Sequence, residues 1–134
     1  MRVLQLHCDS IEYTPTKKEI KSAEEIEPKK TILDEVVVCF IAVENDDDST
    51  VGKTAISEIQ ESMKKIGCKK LLLYPYAHLS SDLASPNAGL SILKEMESSA
   101  IDISVTRAPF GWTKAFSIKV KGHPLAESSK VFSK

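Results

Sequence analysis

A single α/β domain, with a mixed β-sheet, two main amphipathic helices and a short C-terminal helix, is the fold class predicted by three observations. The run "DEVVVCFIAVEN" (34–45) is β-branched and almost continuously apolar, the character of a central strand covered on both faces. Two later stretches repeat apolar residues every three or four positions, as amphipathic helices do. After them, "KAFSIKVKG" (114–122) sets Phe116, Ile118 and Val120 against Ser117, Lys119 and Lys121, the period of two that marks a half-buried strand.

From the start of the chain, "MRVLQLHC" reads as an opening strand, and "DSIEYTPT" offers a turn and a short β-type run before Pro15, which predicts a first hairpin. The charged, weakly amphipathic "KKEIKSAEEIEPKK" (17–30) predicts an exposed loop with one helical turn at most. After the central strand and the acidic "NDDDST", residues Val51, Ala55, Ile56, Ile59, Met63 and Ile66 predict a helix capped by Ser49 or Thr50 and stopped at Gly67. "KKLLLYPY" (69–76) is a second buried strand and "AHLSSDLASPN" (77–87) a polar loop. Ala88, Ile92, Leu93, Met96 and Ala100 then form the stripe of a second helix. "DISVTR", the turn "APFGW" and "KAFSIKVKG" return the chain to the sheet. "HPLAESSKVF" predicts the short C-terminal helix, with Pro124 near its first turn and Glu127 at its positive end. No repeat or linker interrupts the chain, so residues 1–134 form one domain.

Composition narrows the function classes. With 42% hydrophobic and 28% charged residues, the 134-residue chain has the balance of one domain with a real core, which excludes disordered and fibrous classes. No apolar run reaches the ~20 residues of a membrane span, and the start lacks the apolar region of a secretory signal, so the expected location is the cytoplasm. Cys8, Cys39 and Cys68 are odd in number and widely spaced, the pattern of reduced thiols. A net charge of −1 gives no overall basic field, so no DNA or membrane partner is expected, and any RNA contact should be local.

Several candidate sites compete. "GKT" (52–54) stands between a strand and a helix, where a phosphate loop would end, but Asp47 occupies the first glycine position and Asp46 and Asp48 add repulsion. His7, His78 and His123 supply zinc-type ligands at spacings that define no metal set, and no metal or cofactor is expected. In "AHLSSD", His78 lies too close in sequence to Ser80 and Ser81 for a base–nucleophile pair oriented by a third group; a loop lining a substrate is the alternative. Lys114 has the parity of the apolar face of its strand. A strand-end lysine commonly snorkels to solvent. Here, Phe110, Gly111 and Trp112 directly precede it, the composition of a pocket wall containing one cation.

Taken together, "LHCDSIEY", "CFIAVEN", "LLLYPYAHLSSDLASP" and "APFGWTKAFSIKVKGHPLAE" resemble the N-terminal editing domain of archaeal-type threonyl-tRNA synthetases, in the same order and across nearly the whole chain. The resemblance implies a fold like that of D-aminoacyl-tRNA deacylases and a homodimer. The implied reaction is hydrolysis of the ester joining a wrongly attached serine to threonine tRNA, with threonine spared. It also implies a longer synthetase, whose catalytic and anticodon-binding domains act in cis or in trans.

By position, the resemblance assigns catalytic roles to Lys114, His78 and Glu127. It places Val43, Ala77, Phe110, Gly111, Trp112, Thr113 and His123 at the substrate, which is the 3′ end of the tRNA. Main-chain atoms are implied to read the amino acid, and the 2′-hydroxyl of the terminal adenosine to help activate the attacking water. Two positions depart from the family. Thr113 stands where a tyrosine is common, and Cys8 where serine is usual, which exchanges a good hydrogen-bond donor for a weak one. The rival expectations are a module that binds an aminoacylated 3′ end or an amino acid without cleavage, and a D-aminoacyl-tRNA deacylase, whose glycine–proline motif is not found.

Overall fold

A computed structural model describes all residues 1–134. Six strands form one sheet: β1 (Arg2–Lys18), β2 (Thr31–Ala42), β3 (Lys70–Pro75), β4 (Ser104–Arg107), β5 (Trp112–Val120) and β6 (Glu127–Val131). Helix α1 (Ser49–Ile66) crosses from β2 to β3, and α2 (Pro86–Ser99) from β3 to β4. These two crossovers make β2, β3 and β4 parallel, while β1 runs antiparallel to β2, β5 and β6. The order β4-β3-β2-β1-β5, with β6 also on β1, is the mixed α/β sheet the sequence predicts.

The continuous apolar run of β2 is explained by two separate cores. Val37, Cys39 and Ile41 face Val51, Ala55, Ile59, Met63, Ile92, Leu93 and Met96 of the two helices. Val36, Val38 and Phe40 point the other way, toward Leu72, Tyr74, Ile11 and Tyr13. The second core requires the sheet to curl. Leu4 pairs with Phe40, and Tyr13 lies nine residues further along β1, about 30 Å in a flat strand. Yet the Tyr13 and Tyr74 rings are 5.7 Å apart. A register shift between Cys8 and Ser10 marks where β1 bends and carries β5 back over the face of β2 and β3.

Three local expectations are corrected. The predicted first hairpin does not form, because β1 is one continuous strand of 17 residues. Its ladder with β2 stops at Tyr13, so Pro15 pairs only toward β5, beside a second register shift, where a missing N–H is tolerated. The cap of α1 is Asp48, whose carboxylate accepts from Val51 N–H at 3.1 Å, because Ser49 Oγ donates instead to Glu95 of α2 at 2.6 Å. The predicted C-terminal helix is a turn at His123–Ala126 followed by β6. Where β5 leaves the edge of β1, residues 2–6 of β1 present unpaired backbone groups, and pairing with them outweighs a helix too short to be stable alone. Phe132 then closes the helix-side core.

In the second helix Ile92, Leu93 and Met96 are buried as expected, but Ala88 is exposed, Gly89 takes the buried place and Ala100 lies just past the helix end; on β5 Phe116 is exposed, against expectation. Gly67 at φ +79 ends α1, and residues 19–30 connect β1 to β2 without a strand or α-helix. That connection packs on the turn after β4. Glu19 N–H donates to the Gly111 carbonyl at 2.8 Å, and Gly111 itself has φ +83. A Cβ there would lie 2.8 Å from Ala23 Cα. Gly111→Ala is therefore expected to destabilise the fold by about 2 kcal/mol, since backbone on both sides must shift. Gly122, with nothing within 4 Å of an added Cβ, is the control: Gly122→Ala should leave the urea midpoint nearly unchanged.

Candidate active site

The carboxyl ends of the three parallel strands bring together segments far apart in sequence: Val43 after β2, Ala77 and His78 after β3, and Ala108–Gly111 after β4. Backbone bonds fix their order. Tyr76 N–H donates to the Ile41 carbonyl at 2.8 Å, Ala84 N–H to Val43 at 3.0 Å and Ala108 N–H to Leu73 at 2.9 Å. A methyl group at Gly89, in the first turns of α2, would sit 3.6 Å from the Phe110 ring and 3.8 Å from Val43 Cβ, so these two are neighbours across the helix start. Ala77–Leu79 form one 3₁₀ turn; the N–H groups of Ala77 and His78 make no hydrogen bond within the chain.

Lys114 is half-buried at the start of β5. Its ammonium donates to the Trp112 carbonyl at 3.0 Å and stands 4.9 Å from the centre of the Tyr74 ring. No carboxylate lies within ion-pair distance. Burial pushes the ammonium down to about 8, partly offset by Glu19 and Glu24. Aromatic rings continue from this point. Tyr74 packs against Phe40 and Phe116, and Tyr76 links that group to His78 at 5.3 Å. Lys114 and the exposed His78 therefore belong to one end of the molecule, around a cluster of rings.

Glu24, in the connection that carries only a faint sequence pattern, holds this end together. Its carboxylate accepts from two nitrogens of Arg107 and, at 2.9 Å, from Phe110 N–H. Its carbonyl accepts from the Trp112 indole at 2.8 Å. Burial raises the Glu24 carboxyl, but the Arg107 and Phe110 bonds outweigh it and keep the group below the usual carboxylate range. Glu97 takes the third side of Arg107 at 3.0 Å. Trp112 is thus buried as an anchor for the connection, and Thr113, although exposed, has its hydroxyl bonded to the Lys17 carbonyl and 3.0 Å from Thr16 Oγ1. Ser80 donates to Glu44 at 2.6 Å, a bond that holds the loop and lowers the Glu44 carboxyl.

His123 and Glu127 lie elsewhere in this chain. His123 Nε2 is 2.7 Å from His7 Nδ1, at the amino end of the parallel strands, where His7 pairs with Val37. Glu127 pairs with Leu6. Because Leu125 N–H donates to His123 Nδ1 at 3.2 Å, the proton of a neutral His123 sits on Nε2 and is shared with His7. A cavity of about 680 Å³ opens here, lined by His7, Glu35, Cys68, Lys69, Lys70 and Lys121, and one of about 730 Å³ lies between the helix ends near Gln60 and Ile101. Neither contains Lys114. The Lys114 end is the candidate on chemistry, a half-buried cation without an acid partner and two unbonded peptide N–H groups at the same ends of the parallel strands, and not on cavity size. Nowhere do three or more His, Cys, Asp or Glu side chains gather as a metal set.

Comparison with known proteins places this geometry in context. The model for the archaea-specific editing domain of threonyl-tRNA synthetase matches residues 1–132. A threonine–tRNA ligase of Nitrosopumilus maritimus is 69% identical over all of this chain and 22% of its own length. That of Cenarchaeum symbiosum is 53% identical over 99% of the chain, and that of Methanocaldococcus jannaschii 45% over 97%. The chain spans about a fifth of the length of these relatives, 22% in each case. Among solved structures, the c-Myc DNA unwinding element binding protein shares the fold, with a TM-score of 0.69 over 98% of both chains at 8% identity.

The His7–His123 contact makes stability depend on acid. Burial, then the proximity of His123 and Lys121, lowers the His7 imidazole below its usual value of 6.5. Protonation therefore favours the unfolded chain, so the stability is intact above about pH 6.5 and declines as pH falls below it. Urea midpoints should drop between pH 7.5 and pH 5, and His7→Gln should flatten that drop.

Proposed function

The chain belongs to the archaea-specific editing domain family of threonyl-tRNA synthetase, and we propose that it acts after transfer, hydrolysing the ester of serine wrongly attached to threonine tRNA. The observation that carries the reading is Lys114, a half-buried ammonium without a carboxylate partner at the end of the fold where Val43, Ala77 and Phe110 gather. An aminoacyl ester is already activated, so a positioned water and a few preorganised charges are sufficient.

In the proposed reaction, water adds to the seryl carbonyl carbon and the bond to the ribose oxygen breaks. The ribose oxygen leaves with the proton that water gives up, and the products are free serine and tRNA with both terminal hydroxyls restored. Lys114 and the N–H groups of Ala77 and His78 are directed at the charge that develops on the carbonyl oxygen. The terminal 2′-hydroxyl of the RNA orients the water. Main-chain atoms at Val43, Ala77 and Phe110 fit serine closely, and the extra methyl of threonine meets those walls. A second site of this kind is needed because a pocket shaped for threonine discriminates against serine by only ~1–3 kcal/mol.

This proposal uses the Lys114 end of one chain. His123 and Glu127 take no part within that chain, and the mechanism assigns them none. A homodimer, the remaining synthetase domains in cis or in trans, and a cytoplasmic setting are part of the same reading. A second reading, a module that binds the aminoacylated 3′ end without cleaving it, is favoured by Thr113. Its short side chain is tied back to β1, so no phenol is presented beside Lys114.

Deacylation of serine- and threonine-charged tRNA tests the first reading. Serine should be released at least about tenfold faster than threonine, and Lys114→Met should slow serine release by about a hundredfold, the usual effect of losing one stabilising donor. Equal rates for the two esters would sink the selectivity. A silent assay, with calorimetry showing that a non-hydrolysable seryl-adenosine binds, would establish the second reading. The acceleration over spontaneous hydrolysis should fade as pH rises through about 8, where the Lys114 ammonium loses its proton.

A further inference from the structure

Lys114 raises a problem of placement: a charged group on a flexible stem, with no carboxylate to hold it, should wander. One hydrogen bond to the Trp112 carbonyl at 3.0 Å leaves two of its three donors free. The other contact is the Tyr74 ring, 4.9 Å from the ammonium and inside the ~6 Å reach of a cation–π interaction. That ring is itself immobile. Tyr74 is 2% exposed on the parallel strand β3, with ring centroids of Phe40 at 4.9 Å, Phe116 at 5.6 Å and Tyr13 at 5.7 Å around it.

We propose that Tyr74 is the positioning residue for Lys114, the face of its ring holding the ammonium at the carboxyl end of β3 while its hydroxyl takes no part. The role rests on the editing function argued above, since it matters to catalysis only if Lys114 does. The physical case is independent of substrate. Desolvation disfavours the charged lysine, and the negative face of an aromatic ring restores part of what water supplied without offering a proton acceptor. A carboxylate in the same place would form an ion pair and cancel the charge offered to the substrate. The acidic groups that face Lys114, Glu19 and Glu24, both come from the 19–30 connection, and Glu24 is already gripped by Arg107. From the sheet, the group against it is the phenol of Tyr74, with Tyr13 and Tyr76 beside that ring, and burial raises Tyr74 and Tyr13 above the usual phenol range.

The test begins without substrate, by NMR of the 134-residue chain carrying lysine labelled at Cε and Nζ, with Lys114→Met to assign the signal. The Lys114 Cε protons should show an upfield ring-current shift that survives Tyr74→Phe and disappears in Tyr74→Leu, and the lysine should titrate about one unit lower in Tyr74→Leu. Phenylalanines bearing one, two and three fluorines at position 74 keep the shape of the ring and drain its face. They should lower the titration point stepwise, which keeps the test decisive even where Tyr74→Leu fails to fold. Serine deacylation should follow, with an alkaline limb moved to lower pH in the fluorinated series and in place in Tyr74→Phe. No trend with fluorine, or Tyr74→Phe behaving as Tyr74→Leu does, would overturn the proposal. Should the lysine signals respond as expected while Lys114→Met still deacylates at the wild-type rate, the editing role of Lys114 fails and the hold of Tyr74 on it stands.

Discussion

The structure depends on one strand that serves three partners. β1 pairs with β2, β5 and β6, and its bend near Cys8–Ser10 turns a sheet that would expose one apolar face into one that covers itself. An antiparallel hairpin needs no such device. Here the parallel strands β2 and β3 are apolar on both faces, and two helices suffice for only one of them. The far half of β1, with β5 attached, acts as the missing layer. Ile11 and Tyr13, which are fully or almost fully buried, are the residues that carry that contact.

The same folding-back creates the candidate site. Lys114 sits opposite Pro15 on the overlaid part of the sheet, and Tyr74 is on the layer beneath. The lysine is therefore desolvated by the packing that closes the second core, and its position against the carboxyl ends of β2, β3 and β4 follows from strand order. Binding at the carboxyl ends of parallel strands is general for open α/β sheets, because loops there face a common opening. What is particular here is the chemistry of that end, where one cation has an aromatic face and a peptide carbonyl beside it and no paired acid. In the proposed reaction, the ester brings its own leaving group and its own hydroxyl to such a site.

The connection 19–30 shows how a segment with little pattern can matter. Glu24 binds Arg107, Phe110 and Trp112 at once, and through them sets the turn that precedes Lys114. Its sequence surroundings are charged and only weakly amphipathic because the segment packs by a few directed hydrogen bonds and not by a face. Its helical period is too faint, and period two is absent, so periodicity does not single out Glu24. Tyr74 escaped for the opposite reason, being absorbed into a strand so plainly apolar that its ring counted only as core.

Periodicity and turn chemistry, which reside in neighbouring residues, are properties the sequence carries alone, and they determined the α/β class, both helices, the buried strands β2 and β3, and the singular standing of Lys114. Pairing of distant backbone edges is not written in any local stretch. Tertiary structure alone decided that residues 2–18 form one bent strand and that residues 127–131 leave a helical pattern to complete its edge. It also decided that His78 packs on Tyr76, at the end of the parallel strands that holds Lys114, while His123 joins His7 at the other end. The reason is physical: which side chains meet across a sheet is set by register and curl, and both are settled only when every strand has found its neighbours.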